Sequence, residues 1–427
     1  MKRLLSLLCV LAVLRSGNAA PPNVVMIISD DHAWTDYGFM GHPHIQTPHL
    51  DRLARESLTF RRGYVPASLC CPSLASIVTG RYPHEHRVTS NDPPMPAGMT
   101  QREFQQSAEF KEGRETMTRH LAAWPTLPKI LGEAGYVSFQ SGKWWQGNYE
   151  RGGFTHGMTR GGRHGDDGLD IGRKTMQPIY DFIAHARKDG KPFFVWYAPM
   201  MPHDPHTPPE RLLAKYRDKT PSEYVAKYWA MVEWFDETCG DMLGYLDREG
   251  LANDTIVLYV ADNGWIQDPA TTKFAPRSKQ SPYDGGLRTP IMVRWPGRFA
   301  PKISDVPVAS LDFCPTILKA CEVKPPDGLP GIDLADESSV AARSTLFGEC
   351  FTHNSIDLEN PAASLRWRWA LEDGWKLILP APQNERGDPE LFHVADDPHE
   401  AKNLADAEPS RVAALRAELD AWWPDKP

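Results

Sequence analysis

The sequence predicts an α/β fold, with a large mixed, mostly parallel sheet flanked by helices and a small C-terminal α+β domain. Short apolar runs rich in β-branched and aromatic residues alternate with helical patterns, which is the order typical of parallel sheets. Near residue 334 the character of the chain changes, and hairpin-like aromatic segments replace this alternation. These two observations separate a main α/β domain from a smaller C-terminal unit.

The N-terminus has the layout of a secretory signal. Lys2 and Arg3 precede an apolar run over residues 4–14, and small residues follow up to Ala20. The run is too short to span a bilayer, and Pro21 and Pro22 would stop a helix from continuing. We therefore expect residues 1–20 to be a signal peptide and the mature protein to be secreted or periplasmic, with no membrane span.

Length, charge and cysteine content narrow the class of protein further. Roughly 400 mature residues exceed the usual size of a single core, so we expect a catalytic domain over residues 21–333 and a C-terminal subdomain over residues 334–427. The net charge of −8, without a basic block, argues against nucleic acid as a partner. Six cysteines follow the leader: Cys70, Cys71, Cys239, Cys314, Cys321 and Cys350. Their spacing is not that of a zinc site. One or two disulfides among the last four of them remain possible.

Four apolar runs are typical of buried strands, over residues 23–29, 136–140, 192–198 and 255–261. Polar groups follow each run, in the order Asp30-Asp31, Gly142-Lys143, Pro202-His203 and Asp262-Asn263. Open α/β sheets bind their ligands at the carboxyl ends of the strands. We therefore expect these four polar segments to converge on one crevice.

The segments between and after these runs predict the remaining elements. Residues 91–120 are polar and interrupt the alternation, which indicates an inserted surface segment. The C-terminal part predicts a hairpin over residues 370–379 that turns at Asp373-Gly374. Helical patterns cover residues 47–56, 126–134, 180–188, 222–249 and 409–422.

Residues 68–81 combine two cysteines with a short helical pattern. Pro72 suits the first helical position and Gly80 the end of the helix, so Cys70 is predicted to lie just before the helix begins. The N-terminus of a helix favours an anionic group. Composition alone favours an alternative, in which Cys70 and Cys71 are buried packing residues or half of a disulfide.

The order of the motifs resembles the type I, formylglycine-dependent sulfatases of the alkaline phosphatase superfamily. Cys70-Cys71-Pro72-Ser73 followed by Gly80-Arg81-Tyr82-Pro83-His84 is similar to their central motif, and the double cysteine is closest in style to the glucosamine-6-sulfatase branch. The resemblance covers nearly the whole mature chain. Its other motifs are residues 28–31, 47–54, 141–144, 202–205, 262–264, 283–288, 397–400 and 403–404.

This resemblance implies an alkaline phosphatase-like fold and the release of sulfate from a sulfated carbohydrate. In the family the first motif cysteine, here Cys70, is oxidised by the formylglycine-generating enzyme, and the formylglycine hydrate attacks sulfur. The matching lysines, Lys143 and Lys279, would contact the sulfate oxygens. His203 matches the histidine that protonates the leaving oxygen.

A metal site is predicted at two of the strand ends. Asp30, Asp31, Asp262 and Asn263 offer only oxygen ligands, which suit a hard cation such as calcium or magnesium rather than zinc. The resemblance implies one Ca²⁺ per chain. Because three carboxylates leave residual negative charge around a divalent ion, a sulfate ester there needs additional cations such as the two lysines.

Two positions depart from the sulfatase pattern. Leu74 stands where the family motif carries an arginine, and it can neither donate a hydrogen bond nor carry charge. Trp145 stands where many sulfatases carry a histidine, a change that the glucosamine-6-sulfatase branch shares. Trp34, Trp144, Trp145 and Trp265 lie beside the motifs and could stack on sugar rings, with core packing as the alternative for each, which is favoured slightly for Trp144.

Two other functions remain open beside an active sulfatase, and Leu74 favours the first of them. A catalytically impaired protein would bind sulfated glycans without releasing sulfate. A phosphoester or phosphonate hydrolase would use the same scaffold on a different substrate.

Overall fold

The structure, a computed structural model, describes residues 20–424. The predicted signal peptide, residues 1–20, therefore lies outside the described residues except for Ala20. The described chain contains a nine-stranded sheet and a separate four-stranded sheet. Among residues 20–424, no helix combines the length and the apolar character needed to cross a membrane.

Nine strands form the large sheet and four form the small one. The strands are β1 (Asn23–Ser29), β2 (Leu58–Tyr64), β3 (Val137–Gly142), β4 (His156–Gly157), β5 (Phe193–Ala198), β6 (Thr255–Ala261), β7 (Arg288–Arg294), β8 (Lys302–Ser304), β9 (Val308–Ala309), β10 (Thr345–Phe351), β11 (Leu365–Glu372), β12 (Trp375–Pro380) and β13 (Glu390–His393).

The α-helices alternate with the strands of the large sheet and close the chain. They are α1 (Pro48–Glu56), α2 (Cys70–Thr79), α3 (Pro83–His86), α4 (Gln101–Gln106), α5 (Ala108–Ala122), α6 (Leu127–Glu133), α7 (Gln177–Lys188), α8 (Glu210–Leu213), α9 (Glu223–Arg248), α10 (Asp284–Leu287), α11 (Phe313–Ala320), α12 (Glu337–Ala342) and α13 (Pro409–Trp422).

The centre of the large sheet is parallel, in the order β3-β5-β1-β6. Val25 of β1 lies opposite Val195 of β5 on one side and Val257 of β6 on the other. Every residue of β5 and β6 is buried, because helices cover both faces of a parallel sheet and leave no polar face. The four predicted strands are therefore confirmed, and they are adjacent.

The side chains of β1 alternate between two hydrophobic cores, as the period of two in a strand requires. Val24, Met26 and Ile28 pack in the core shared with α2, α6 and α11. Val25 and Ile27 pack in the core shared with α1, α7 and α9. The sheet is thus the middle layer of an α/β/α sandwich.

An antiparallel strand makes the large sheet mixed. β7 is antiparallel both to β6 and to β2, so β2 runs in the same direction as the central parallel strands. The carboxyl end of β2 and the beginning of β7 consequently lie at the same edge of the sheet as the ends of β1, β3, β5 and β6.

The C-terminal sheet is antiparallel, in the order β10-β11-β12-β13. The predicted hairpin is present between β11 and β12, and Asp373 and Gly374 have φ of 47° and 80°, as a two-residue hairpin turn requires. Leu415 and Leu419 of α13 pack on this sheet. The small α+β unit is confirmed, whereas its boundary at residues 333 and 334 stays a prediction.

Three local features of the structure either were not predicted from the sequence or differ from the prediction. The segment over residues 91–120 is largely helical, and Phe110 and Met117 of α5 are buried. Helix α2 begins at Cys70 itself rather than after it. Within the described chain all six cysteines are free.

Candidate functional site

The four polar segments predicted to converge do so at one edge of the sheet. Lys143 directly follows β3, His203 comes shortly after β5, Asp30 directly follows β1 and Asp262 directly follows β6. Because these strands are parallel neighbours in the order β3-β5-β1-β6, the four side chains are brought to one edge in that same order.

The mixed sheet brings two further predicted residues to this edge. Helix α2 starts at Cys70, a short connection after the carboxyl end of β2, and Lys279 lies shortly before α10 and β7. The Cys70 thiol is 1% exposed, and its Sγ lies 4.0 Å from Oδ1 of Asp31. Lys279 Nζ donates a hydrogen bond of 2.7 Å to Oδ2 of Asp31. The structure thus places both residues beside the acidic cluster.

The acidic cluster has the composition of a cation site. Oxygens of Asp30, Asp31 and Asp262 lie within 4.8 Å of one another. Three buried oxygens have no hydrogen-bond partner among residues 20–424: Asp30 Oδ2, Asp262 Oδ2 and Asn263 Oδ1. Buried polar atoms without a partner are rare in proteins. An all-oxygen donor set with three such atoms fits a hard divalent cation.

Backbone geometry holds the cluster together. Asp31 has a left-handed φ of 60°, and its backbone N–H donates to Oδ1 of Asp262 over 3.1 Å. The side-chain amide of Asn263 donates to Oδ1 of Asp31 over 2.7 Å, which leaves its Oδ1 free. The segments after β1 and β6 therefore fix each other.

Lys143 neutralises part of the charge from the side of β3. Its Nζ lies 2.6 Å from Oδ1 of Asp30 and 3.6 Å from Oδ2 of Asp262. Burial alone would lower the pKa of Lys143, but these carboxylates hold it well above its usual range. The side chain is 1% exposed, so a full positive charge is fixed inside the protein.

Burial also changes the carboxylates. It raises the pKa of Asp30 to about 6 and that of Asp262 to about 7, although Lys143 opposes both shifts. Burial acts on Asp31 too, but the charges of Lys279 and Lys143 hold the pKa of Asp31 below its usual range. Asp31 is therefore the permanently ionised member of the cluster.

His203 presents one ring nitrogen to the cluster. Its Nδ1 donates to the backbone oxygen of Asp204 over 2.5 Å, so Nε2 is the nitrogen that faces Oδ2 of Asp31 at 3.5 Å. Burial, together with Lys143 and Lys279, lowers the pKa of His203 to about 4. The ring is therefore held neutral and oriented, with Nε2 available for proton transfer.

A cavity of about 670 Å³ opens over these groups. Cys70, His203 and Lys279 line it, whereas Lys143 is buried against the carboxylates. Its remaining lining residues are Asn91, Trp145, Arg163, His164, Met200, Asp204, Pro205, Trp265, Thr272, Lys273, Phe274, Gln280 and His353.

Several polar lining residues were missed from the sequence. Arg163 and His164 come from the loop between β4 and α7, and His353 comes from the C-terminal part of the chain. A signal for the first pair exists, because Gly161-Gly162-Arg163-His164-Gly165 combines glycines with charge. No comparable local signal marks Asn91 or His353.

The tryptophans beside the motifs divide into two groups. Trp145 and Trp265 line the cavity. Trp144 packs edge-to-face on Trp196 in the core, and Trp34 lies against the guanidinium of Arg288. Only the first two are placed where they could contact a ligand.

The arginine that Leu74 replaces in the family motif has no substitute in Arg81, the next arginine along the chain. Leu74 is 2% exposed and belongs to the same hydrophobic core as Cys70. Arg81 pairs with Glu85 and donates to the backbone oxygen of Gly328 over 2.7 Å, so it does not replace the missing motif arginine. Among residues 20–424, Arg163 is the arginine that lines the cavity.

Comparison with known proteins agrees with this architecture. A family model described as sulfatase matches residues 22–323, and one described as the C-terminal region of N-sulphoglucosamine sulphohydrolase matches residues 277–422. The N-acetylgalactosamine-6-sulfatase of Mus musculus is 28% identical, over 93% of this chain and 85% of its own length.

Solved structures share the fold. A protein in complex with its substrate D-glucosamine-2-N,6-O-disulfate superposes with a TM-score of 0.74 at 20% identity, covering 94% of this chain and 97% of that one. The phosphonate monoester hydrolase of Agrobacterium radiobacter superposes with a TM-score of 0.70 at 17% identity, covering 94% and 95%. With a matching family model over most of its length, this chain belongs to the sulfatase family and is a sulfuric ester hydrolase.

Proposed function

We propose that this sulfatase releases sulfate from a sulfated carbohydrate through a formylglycine formed from Cys70. The observation that carries the proposal is the position of Cys70, at the first residue of α2, in the cavity wall and 4.0 Å from the carboxylate of Asp31. Lys279 lines the same cavity, and Lys143 is buried beside the same carboxylates.

An unmodified thiol at position 70 would be a poor nucleophile. Burial raises the pKa of Cys70 to about 12, although Lys143 and Lys279 oppose the shift. Because the thiolate is the reactive form of cysteine, this group stays protonated and inert near neutral pH. The hydrate of the formylglycine aldehyde supplies instead a hydroxyl that attacks sulfur, and collapse of the resulting sulfated hemiacetal frees sulfate and restores the aldehyde.

The residues around position 70 have separate tasks in this reaction. Lys279 in the cavity wall, together with Lys143 buried beside the same carboxylates, would supply positive charge where negative charge develops on the sulfate oxygens. Nε2 of His203, which carries no proton in the neutral ring, would first have to take one up and would then give it to the oxygen of the departing alcohol. Its orientation is fixed by the bond from Nδ1 to Asp204, so only Nε2 can take part.

We propose one Ca²⁺ as the cation held by Asp30, Asp31, Asp262 and Asn263. The unpartnered oxygens of Asp30, Asp262 and Asn263 support it. Oxygen-only donors favour a hard cation over zinc. When bound, the ion would supply positive charge that orients and polarises the nucleophile and the sulfate group.

A sulfated carbohydrate is supported by the walls of the cavity. Trp145 and Trp265 offer aromatic surface on which a sugar ring can stack. Lys273, Asp204 and His353 add polar groups to the cavity wall, and similar proteins carry names such as N-acetylgalactosamine-6-sulfatase. A volume of about 670 Å³ lies in the range of small-molecule sites.

Maturation and export complete the proposal. The formylglycine-generating enzyme would oxidise Cys70, and residues 1–20 would direct the chain to a secreted or periplasmic location. The first step is the more critical one, because Leu74 replaces the arginine of the segment that this enzyme reads.

The test is the mass of the tryptic peptide over residues 63–81 from protein made with the formylglycine-generating enzyme. If Cys70 is converted to formylglycine, an aldehyde replaces its thiol group and the mass of the peptide falls accordingly. The converted protein should then release sulfate from p-nitrophenyl sulfate. A Cys70→Ala variant is the matched control and should release none. Sulfate release by protein whose Cys70 is unmodified would refute the formylglycine route.

The two alternatives predict other results. A binding protein, favoured by Leu74, would bind sulfated glycans saturably without releasing sulfate. A phosphoester or phosphonate hydrolase, favoured by the shared fold with the Agrobacterium radiobacter enzyme, would act faster on an aryl phosphate or phosphonate ester than on the aryl sulfate.

A further inference from the structure

The cavity contains a histidine that has no counterpart among the predicted catalytic residues. His164 lies in the loop between β4 and α7, and its ring centroid is 5.8 Å from that of His203 and 4.5 Å from that of Trp145. Trp145 occupies the position at which many sulfatases carry a histidine. A histidine from a different loop therefore packs against the tryptophan that replaces the family's own.

A chain of hydrogen bonds fixes the tautomer of His164. Asp92, which is fully buried, accepts hydrogen bonds of 3.0 Å from Nε and from one terminal nitrogen of Arg163. The other terminal nitrogen of Arg163 lies 2.8 Å from Nε2 of His164. Because a guanidinium only donates, Nε2 is the acceptor, and the proton of the neutral ring is on Nδ1.

The Nδ1–H group is therefore a free donor. In the described part of the chain no residue accepts a hydrogen bond from it, and the His164 ring lines the cavity together with Cys70, His203 and Lys279. Burial and the charges of Lys143 and Arg163 hold the pKa of His164 well below its usual range. The ring thus remains a neutral donor across the working range of pH.

The loop that carries His164 is built to hold this position. His164 and Gly165 have left-handed φ of 68° and 110°, and the Asp166 carboxylate accepts from the backbone N–H of Gly162 over 2.8 Å. A Cβ at Gly165 would lie 2.3 Å from the backbone oxygen of Gly142, the residue before Lys143. Left-handed residues held by such contacts are frequent at binding sites.

We propose that His164 is a catalytic residue of this sulfatase that donates a hydrogen bond from Nδ1 to the sulfate-ester group of the substrate, with Asp92 and Arg163 as its positioning residues. This inference rests on the proposed function. His164 would add a neutral hydrogen-bond donor to the positive charges of the two lysines. It would also compensate for the histidine that many sulfatases carry at the position of Trp145.

The test compares His164→Ala with His164→Asn in the turnover of p-nitrophenyl sulfate by the mature protein. The amide nitrogen of asparagine can take the place of Nδ1, and asparagine tolerates a left-handed φ. We expect kcat/KM to fall by about 100-fold in His164→Ala, the usual effect of losing one such donor, and by less than about 10-fold in His164→Asn. His185→Ala, an exposed histidine on α7, is the control.

An unchanged kcat/KM in His164→Ala would overturn the inference. Equal losses in the alanine and asparagine variants would overturn it too, because they would indicate a structural role. If the wild-type protein releases no sulfate, the proposed function fails. The role of His164 as a donor is then tested separately, by measuring the Kd for inorganic sulfate by calorimetric titration. A Kd raised about tenfold in His164→Ala but not in His164→Asn would support the donor, and equal Kd values, or no binding to the wild-type protein, would overturn it.

Discussion

Leu74 is the residue at which this chain departs most from the catalytic motif of its family. It lies one helical turn after Cys70 on α2, with its side chain in the core, and the structure offers no arginine from Arg81 in exchange. In the proposed function, this departure would alter both the surroundings of the nucleophile formed from Cys70 and the segment that the formylglycine-generating enzyme reads.

We predict that Leu74→Arg raises the fraction of Cys70 converted to formylglycine, because it restores the family motif. Because position 74 is buried in the core, an unpaired guanidinium there should cost about 3–5 kcal/mol of stability. Leu74→Met, a volume-conserving change, is the control and should leave conversion unchanged. The readout is the mass of the tryptic peptide that contains position 70. A wild-type peptide that is already fully converted would contradict this prediction.

Asp262 is the residue whose loss should affect cation binding most directly. One of its oxygens accepts from the backbone N–H of Asp31, and the other has no hydrogen-bond partner within residues 20–424. A cation bound at about 100 times its Kd adds about 2.7 kcal/mol to stability. We expect Ca²⁺ to raise the Tm of the wild-type protein over that in EDTA, and Asp262→Asn to abolish most of the rise.

The matched control for this prediction is Asp189→Asn, an exposed residue after α7, which should keep the full calcium-dependent rise in Tm. If Asp262→Asn responds to Ca²⁺ as the wild-type protein does, the cluster is not the calcium site.

Among the elements of the fold, the end of β3 illustrates how backbone packing positions a charge. Gly142 has a φ of 77°, and a Cβ there would lie 1.9 Å from the backbone oxygen of Ala198 on β5. The next residue, Lys143, donates its backbone N–H to the same oxygen over 2.5 Å. Only glycine lets the two strands approach closely enough to direct Lys143 into the cluster.

We predict that Gly142→Ala lowers both stability and sulfate release, because the strand must move and carry Lys143 with it. Gly135→Ala isolates the strain of a left-handed residue, since Gly135 has a φ of 92° and no atom within 4 Å of the place its new methyl group would take. It should cost only about 1–2 kcal/mol and leave activity intact. Urea unfolding and turnover of p-nitrophenyl sulfate measure the two effects, and equal losses in both variants would contradict the explanation.

At the scale of the whole molecule, a buried ionic cluster joins the two sheets. Lys376 of β12 is fully buried and donates to Asp284 over 2.8 Å and to Glu400 over 2.9 Å. Tyr64 of β2 also donates to Asp284. Asp284 and Glu400 belong to two of the motifs that carry the family resemblance, so these motifs serve the contact between the catalytic sheet and the C-terminal sheet.

We predict that Glu400 makes the stability of the protein depend on pH. Burial raises the pKa of Glu400 from 4.5 to about 7, although Lys376 opposes the shift. A raised pKa means that the folded state binds the proton more tightly than the unfolded state, so stability from this group is present at low pH and is lost as the pH rises through about 7. In Glu400→Gln this dependence is absent.

The measurement is the Tm of the wild-type protein and of Glu400→Gln between pH 5 and 8. The Tm of the wild-type protein minus that of the variant should fall as the pH rises. Glu408→Gln, on an exposed residue before α13, should parallel the wild-type protein. Parallel curves for Glu400→Gln would show that the cluster does not titrate in this range.

The sequence alone determined the class of fold and most of the predicted site. Buried parallel strands are continuous apolar runs, and the polar residues at their ends are visible as motifs, so the placement of Asp30, Lys143, His203 and Asp262 follows from local pattern and from the rule that parallel strands end at one edge. The resemblance added Cys70 and Lys279, which local pattern alone did not separate from packing and surface residues.

The tertiary structure alone decided which distant groups meet. The approach of Lys279 to Asp31 depends on the antiparallel β7, and the chain from Asp92 through Arg163 to His164 joins two loops. The cluster of Lys376, Asp284 and Glu400 joins two sheets. The hydrophobic periodicity of a segment indicates which face of its own helix or strand a residue occupies. These contacts depend instead on how elements far apart in the chain pack against one another, which no local sequence pattern predicts.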